Sequence, residues 1–105
     1  MEEELFAAKG NVLQLRRNPS LGEIDTVKGE LLKLLRADED GAELDMSGMS
    51  GISSMTVGMA VAVHLRAVEA GRKLTVRIRR EQKRLFDLTM LSNTLNLEVA
   101  GTGGG

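Results

Sequence analysis

Apolar and polar positions along this chain follow two different periods, and the switches between them mark its elements. Leu5 to Ala8 and Val12 to Arg16 are short apolar runs on either side of Lys9-Gly10-Asn11. Two such runs around a Gly-Asn turn predict a hairpin. Pro19 lies in Arg17-Asn18-Pro19-Ser20 and cannot donate to a central ladder, so a loop follows. A helical period then takes over, with Ile24, Val27, Leu31, Leu34 and Leu35 on one face. Two starts fit it. Ser20 and Glu23 have capping-box spacing, and Asp25 is an equally good N-cap. Gly29 weakens this helix by about 1 kcal/mol relative to alanine. Asp38-Glu39-Asp40-Gly41 ends it in a turn.

A short strand from Ala42 to Met46 comes next, then a small, glycine-containing loop from Ser47 to Ile52. A second helix is predicted from about Ser54 to Ala70. Val57, Val61, Leu65 and Val68 form its core stripe, and Ala60 permits close approach. Gly71 stands where a left-handed residue ends a helix. Leu74 to Ile78 alternates apolar residues with Thr and Arg, a half-buried strand. Glu81 to Leu91 reads as a third helix with Leu85, Leu88 and Leu91 inward, and Leu95 to Val99 as a last strand. The order is β-β-α-β-α-β-α-β. Strands joined by helices imply right-handed crossovers. The expected fold is therefore α/β: a small mixed sheet, mostly parallel with one N-terminal hairpin, and helices mainly on one face. One domain is expected over residues 1–100, followed by a flexible glycine-rich tail at 101–105.

Composition removes several kinds of chemistry. The chain has 105 residues, no cysteine and a single histidine, His64. That excludes disulfides, thiolate sites and cysteine nucleophiles, and no metal cage is expected. Aromatics are confined to Phe6 and Phe86, too few for stacking on single-stranded nucleic acid. No apolar run approaches the ~20 residues that span a bilayer. The acidic start does not suit a signal peptide. The cytoplasm is the expected location, without direct membrane insertion. The net charge of −1 conceals an asymmetry, because residues 61–105 hold 8 Lys/Arg against 4 Asp/Glu. Arg77-Ile78-Arg79-Arg80 and Lys83-Arg84 are either a basic face for an acidic partner or a solvated rim. No phosphate-binding GxxxxGK[ST] or GxGxxG motif is present, so no cofactor is expected.

The strand-to-helix turn carries the chemistry of interest. Ser53 and Ser54 sit side by side where the second helix begins. A hydroxyl there caps the helix, and a phosphate there lies in the helix's positive field. Cap and switch are both open on the residues alone. Four of the six methionines, Met46, Met49, Met55 and Met59, surround this turn. Met46 and Met59 are expected in the core. Met49 and Met55 are expected at the surface, where methionine adapts to irregular partners. His64 finds no triad partners and is expected to be a half-buried or surface residue.

Taken together, these segments resemble a STAS domain, the module of anti-sigma factor antagonists and sulfate-transporter tails. Leu44-Asp45-Met46-Ser47 is similar to the family's Leu-Asp-Leu-Ser. Ile52 to Val57 falls on its Asp-Ser-Ser/Thr-Gly turn and the start of its long apolar helix. Ala70-Gly71-Arg72-Lys73-Leu74 and Leu85 to Leu91 fit the helix end, the fourth strand and the last helix. Gly22-Glu23-Ile24-Asp25 resembles the family's Gly-Glu-Leu-Asp and favours Asp25 as the first helix's cap. The register puts Ser54 on the phosphoacceptor, with Ser53 and Thr56 as alternates. Ser53 stands where kinase-regulated members have aspartate, and Thr56 where they have glycine.

The resemblance implies a non-enzymatic regulatory protein. Its partner would be an anti-sigma factor that doubles as a serine kinase, and phosphorylation of Ser54 would release it. The partner-facing residues would be Asp45, Ser47, Met49, Ser50, Ser53, Met55 and Thr56. The altered turn leaves a second reading: a constitutive STAS subunit bound to an ABC-transporter ATPase in lipid trafficking, or to a stress-signalling scaffold. A homodimer is left open. No catalytic residue, metal site or nucleic-acid partner is expected.

Overall fold

The computed structural model describes residues 4–100; the glycine-rich tail expected at 101–105 lies outside them. Two antiparallel strands, β1 (Phe6–Lys9) and β2 (Val12–Leu15), form the hairpin, and Gly10 makes its turn at φ +60°. Helix α1 (Ile24–Ala37) leads to β3 (Ala42–Asp45), α2 (Ser54–Glu69) to β4 (Leu74–Ile78), and α3 (Arg80–Leu88) with a 3-10 turn (Leu91–Asn93) to β5 (Asn96–Val99). The sheet has five strands in the order β1-β2-β3-β4-β5, and every pair after the hairpin is parallel. Right-handed crossovers that always advance in one direction bring all three helices to the same face.

That face holds the core. Leu13, Leu15, Leu44, Leu74, Val76 and Ile78 point into it and are fully buried. Alternate positions point the other way, and they are polar: Gln14, Glu43, Asp45, Thr75, Arg77 and Glu98. A sheet wet on one side explains the period of two, since strands covered on both faces read as continuous apolar runs. Helix α1 buries Val27, Leu31 and Leu35, in line with its periodicity.

Three details differ from expectation. Asp25 does not cap α1; it lies inside the first turn. The entry is instead built from Ser20 and Glu23. The Glu23 carboxylate accepts the Ser20 N–H at 2.9 Å, and the Glu23 and Ile24 N–H groups donate to the Ser20 carbonyl. This is the backward-reaching half of a capping box. Helix α2 buries Val57, Met59, Ala60, Val63, His64 and Ala67, while Leu65 and Val68 are 53% and 59% exposed. The helix is apolar on nearly every side, so its sequence admits two stripes. The sheet takes the one rich in small residues, because α1 packs closely against it. Helix α3 ends at Leu88 rather than Leu91, and buries Gln82 and Phe86 while Leu88 is 72% exposed. The Thr89 hydroxyl donates to the Leu85 carbonyl, and Met90 turns left-handed at φ 62°. Burial of Phe86 alone contributes about 2–3 kcal/mol to holding this short helix down.

Candidate functional site

The turn between β3 and α2 is fixed from three directions. At its start Asp45 Oδ1 accepts the Ser47 N–H at 2.9 Å and the Ser47 hydroxyl at 2.6 Å, an Asx turn that bends the chain off the strand. Next, Gln82 Nε2 donates to the carbonyls of Met46 and Met49, both at 3.0 Å, and Arg79 Nη2 donates to Met49 at 2.8 Å. Gln82 Oε1 in turn accepts the Arg79 N–H at 2.7 Å, which caps α3. Arg79 Nε lies 3.4 Å from Glu81 Oε2, an ion-pair distance without hydrogen-bond geometry. Finally, Asn18 reaches across from the β2–α1 loop. Its Oδ1 accepts the Ser53 N–H and the Thr56 hydroxyl, each at 2.9 Å, and its Nδ2 donates to the Gly51 carbonyl at 3.1 Å.

These bonds assign different roles to the two serines. Ser53 is the N-cap of α2, and its oxygen accepts the Thr56 N–H at 3.1 Å. The Ser53 and Thr56 hydroxyls lie 2.9 Å apart. Thr56 spends its single proton on Asn18, whose Oδ1 can only accept, so Ser53 must donate to Thr56. Both capacities of the Ser53 hydroxyl are thereby used. Ser54 is the first helical residue. It is exposed, and its hydroxyl has no partner among the described residues.

The expected contact residues divide accordingly. Ser50, Ser54 and Met55 are exposed, and Ser47, Asp45 and Ser53 are half-buried. Met49 is not at the surface; it is 2% exposed, drawn inward by the bonds that Gln82 and Arg79 make to its carbonyl. Thr56 is fully buried, so its hydroxyl is not offered to an enzyme in this conformation. Met46 and Met59 are in the core as expected. His64 is more buried than expected, 8% exposed on the inward side of α2 with Nδ1 unpartnered among the described residues.

Beyond the turn, α2 presents an apolar line to solvent. Met55 is 40% exposed and Leu65 53%. Between them lie Gly58 and Ala62, which leave the middle of the line low. A cavity of about 310 Å³ adjoins the same turn, where Ser50 and Ile52 face Arg79 and Leu85. On the open side of the sheet, partial burial raises the Glu43 carboxyl above its usual range, against the pull of Arg77 and with Glu98 and Asp45 adding to it. Among the described residues no group of three or more His, Asp or Glu could hold a metal ion. No helix there is long and apolar enough to cross a membrane.

A solved structure with the same arrangement is that of a putative anti-sigma factor antagonist from Thermotoga maritima. It matches with a TM-score of 0.69, covering 94% of this chain and 88% of that one. The fold is STAS-like. The two sequences are 14% identical, so the likeness is one of fold. No family model matches the sequence, and no curated protein does. In this STAS-like frame the β3–α2 turn stands at the C-terminal edge of the parallel strands, where open α/β sheets place their binding sites. Asn18 and Gln82 were not visible as site residues in the sequence. Each lies more than thirty residues from the carbonyl it holds, and neither sits in a motif.

Proposed function

We propose that this protein is a non-enzymatic regulator of the anti-sigma factor antagonist kind. Its partner, an anti-sigma factor with serine kinase activity, docks on the Ser47–Ser53 loop and the outer line of α2 through Met55 and Leu65. Ser54 is the switch. One observation carries this reading: Ser53 takes over the capping of α2 completely, leaving Ser54 exposed and uncommitted beside the apolar line. Phosphoserine carries about −1.5 to −2 charges at neutral pH. At a helix N-terminus that charge is favourable for the domain itself. A partner that buries the turn would have to desolvate the charge, and so would be released without any large change of fold.

The test is capture of partners from lysate of the source organism with four baits: wild type, Ser54→Ala, Ser54→Asp and Leu65→Arg. A serine kinase of the anti-sigma type should be held by wild type and Ser54→Ala. Ser54→Asp and Leu65→Arg should each weaken its binding by about tenfold or more, equivalent to at least 1.4 kcal/mol. Equal retention by Ser54→Ala and Ser54→Asp would end the switch. Serine in place of the usual aspartate at position 53 favours a second reading, a constitutive subunit on a transporter ATPase or a signalling scaffold. Recovery of such a partner by Ser54→Asp as well as wild type would establish it.

A further inference from the structure

A second cavity, of about 310 Å³, lies at the far end of α2 from Ser54, between the C-terminal ends of α1 and α2. Its floor is apolar, from Leu32, Leu35, Ala67 and Ala70, and its rim carries Arg36, Arg66 and Arg72 with Glu69. The three arginines come from three different segments: the last turn of α1, the last turn of α2, and the loop before β4. Among the described residues none of the three side chains has an ion-pair or hydrogen-bond partner. This holds in a chain with 15 Asp and Glu. Arg72 Nη1 is buried without an acceptor and, being closed to solvent, is not itself a donor into the cavity. A buried donor with no acceptor is costly, and guanidinium groups near a carboxylate or phosphate ordinarily pair with it.

Arg36 and Arg66 stand in the last turns of α1 and α2, where a cation complements the helix C-terminus, but that interaction is with a field and takes up no side-chain donor. The end of α2 closes on its own backbone. Gly71, at φ +69°, donates to the Val68 carbonyl at 3.1 Å, and Arg72 donates its backbone N–H to Ala67 at 2.8 Å. This Schellman arrangement satisfies the Ala67 and Val68 carbonyls without any side chain. It also anchors Arg72 by its backbone at the cavity's edge. The guanidinium donors are left over.

We propose that this cavity binds a small phosphate monoester, its dianionic head held by Arg36, Arg66 and Arg72 and its carbon body on the Leu32–Leu35–Ala67–Ala70 floor. Three guanidiniums against one carboxylate leave a formal side-chain surplus of two positive charges, which the C-terminal ends of α1 and α2 reduce, so the site suits an anion of up to two charges. Planar donors arranged in forks suit phosphate oxygens better than ammonium groups do. The volume lies at the low end of ligand sites, about 300–1,000 Å³, and no aromatic ring lines it to stack a base. A nucleotide is therefore not the occupant.

Phenyl phosphate is the probe, added to the full chain at about 0.15 M salt while amide and arginine Nε–H resonances are followed by NMR. Saturable shifts confined to residues around 32–36 and 66–72, with Kd below about 1 mM, are expected. Inorganic phosphate should bind about tenfold more weakly, since it leaves the apolar floor unused. Arg66→Ala and Arg72→Ala should each weaken phenyl phosphate about tenfold or more. Glu69→Gln should tighten it several-fold by removing the opposing charge. Arg66 is exposed and its replacement leaves the core untouched, so it carries the test if Arg72→Ala fails to fold. Unsaturable shifts, wild-type affinity in Arg66→Ala, or no tightening in Glu69→Gln would each overturn the site. Equal affinity for inorganic phosphate would overturn the monoester assignment. The outcome is independent of Ser54, which lies about 20 Å away along a helix of this length.

Discussion

The Ser53 hydroxyl accepts from one group and donates to another, while Ser54 next to it does neither. A phosphate on Ser53 would remove the proton that Thr56 receives and crowd the Asn18 contact. A phosphate on Ser54 would disturb no bond seen here. Another residue-scale effect is electrostatic. Arg17 grips Glu23 with two N–H groups, both at 2.8 Å, and with the Ser20 N–H holds that carboxyl down from 4.5 to about 2. A group lowered on folding stabilises the fold above its unfolded value and loses that effect as pH falls through the folded one. The contribution of Glu23 is therefore intact above pH 4.5 and withdrawn between there and about 2. In Arg17→Ala, an NMR titration of the carboxyl carbons should find Glu23 moved part of the way back toward its ordinary range, with Ser20 still holding it below. An unmoved midpoint would remove Arg17 as the cause. That a hydroxyl caps α2 was legible in the sequence. Which of two adjacent serines does so was not, because Asn18, 35 residues earlier, settles it.

At the scale of the element, glycines separate propensity from space. Gly29 lies inside α1, and a Cβ added there would meet nothing within 4 Å, so only backbone entropy is at stake. Gly29→Ala should stabilise the protein by about 0.5–1 kcal/mol, read as a higher denaturation midpoint at unchanged slope. Gly41 is the opposite case. Its φ is +101°, and a Cβ there would meet the Lys73 carbonyl oxygen at 1.9 Å, in backbone that also accepts the Ala42 N–H. Gly41→Ala should cost about 2–4 kcal/mol in the same assay, and a neutral result would mean that the turn can rearrange. Element order and most boundaries were legible because strand and helix periods differ. The facing of α2 was not, since an apolar residue occupies nearly every candidate stripe. Nor was the stop of α3, which depends on the Thr89 hydroxyl returning to Leu85 and on the left-handed Met90.

Across the whole molecule, charge is redistributed by the fold in a way the linear order hides. The basic run after Gly71 does not make one face. Arg77 pairs with Glu98 at 3.2 Å on the open side of the sheet, Lys83 with Asp87 at 3.0 Å on α3, and Arg79 holds the β3–α2 loop. The group that does converge, Arg36, Arg66 and Arg72, is scattered in sequence. The loop is likewise a product of distant segments, clamped by Gln82 on one side and Asn18 on the other. Gln82→Leu would leave the Met46 carbonyl and the Arg79 N–H without these partners. A loss of about 2–4 kcal/mol is expected, with faster amide exchange concentrated between residues 46 and 51. Protection unchanged in that segment would show that Asn18, Arg79 and Asp45 hold the loop without Gln82. Strand order matching chain order has one more consequence. No strand has to be threaded between two that are already paired, so each β-α unit finds its template complete on the preceding one. The sheet can grow by accretion, from the N-terminal hairpin outward, in the direction in which a ribosome releases it.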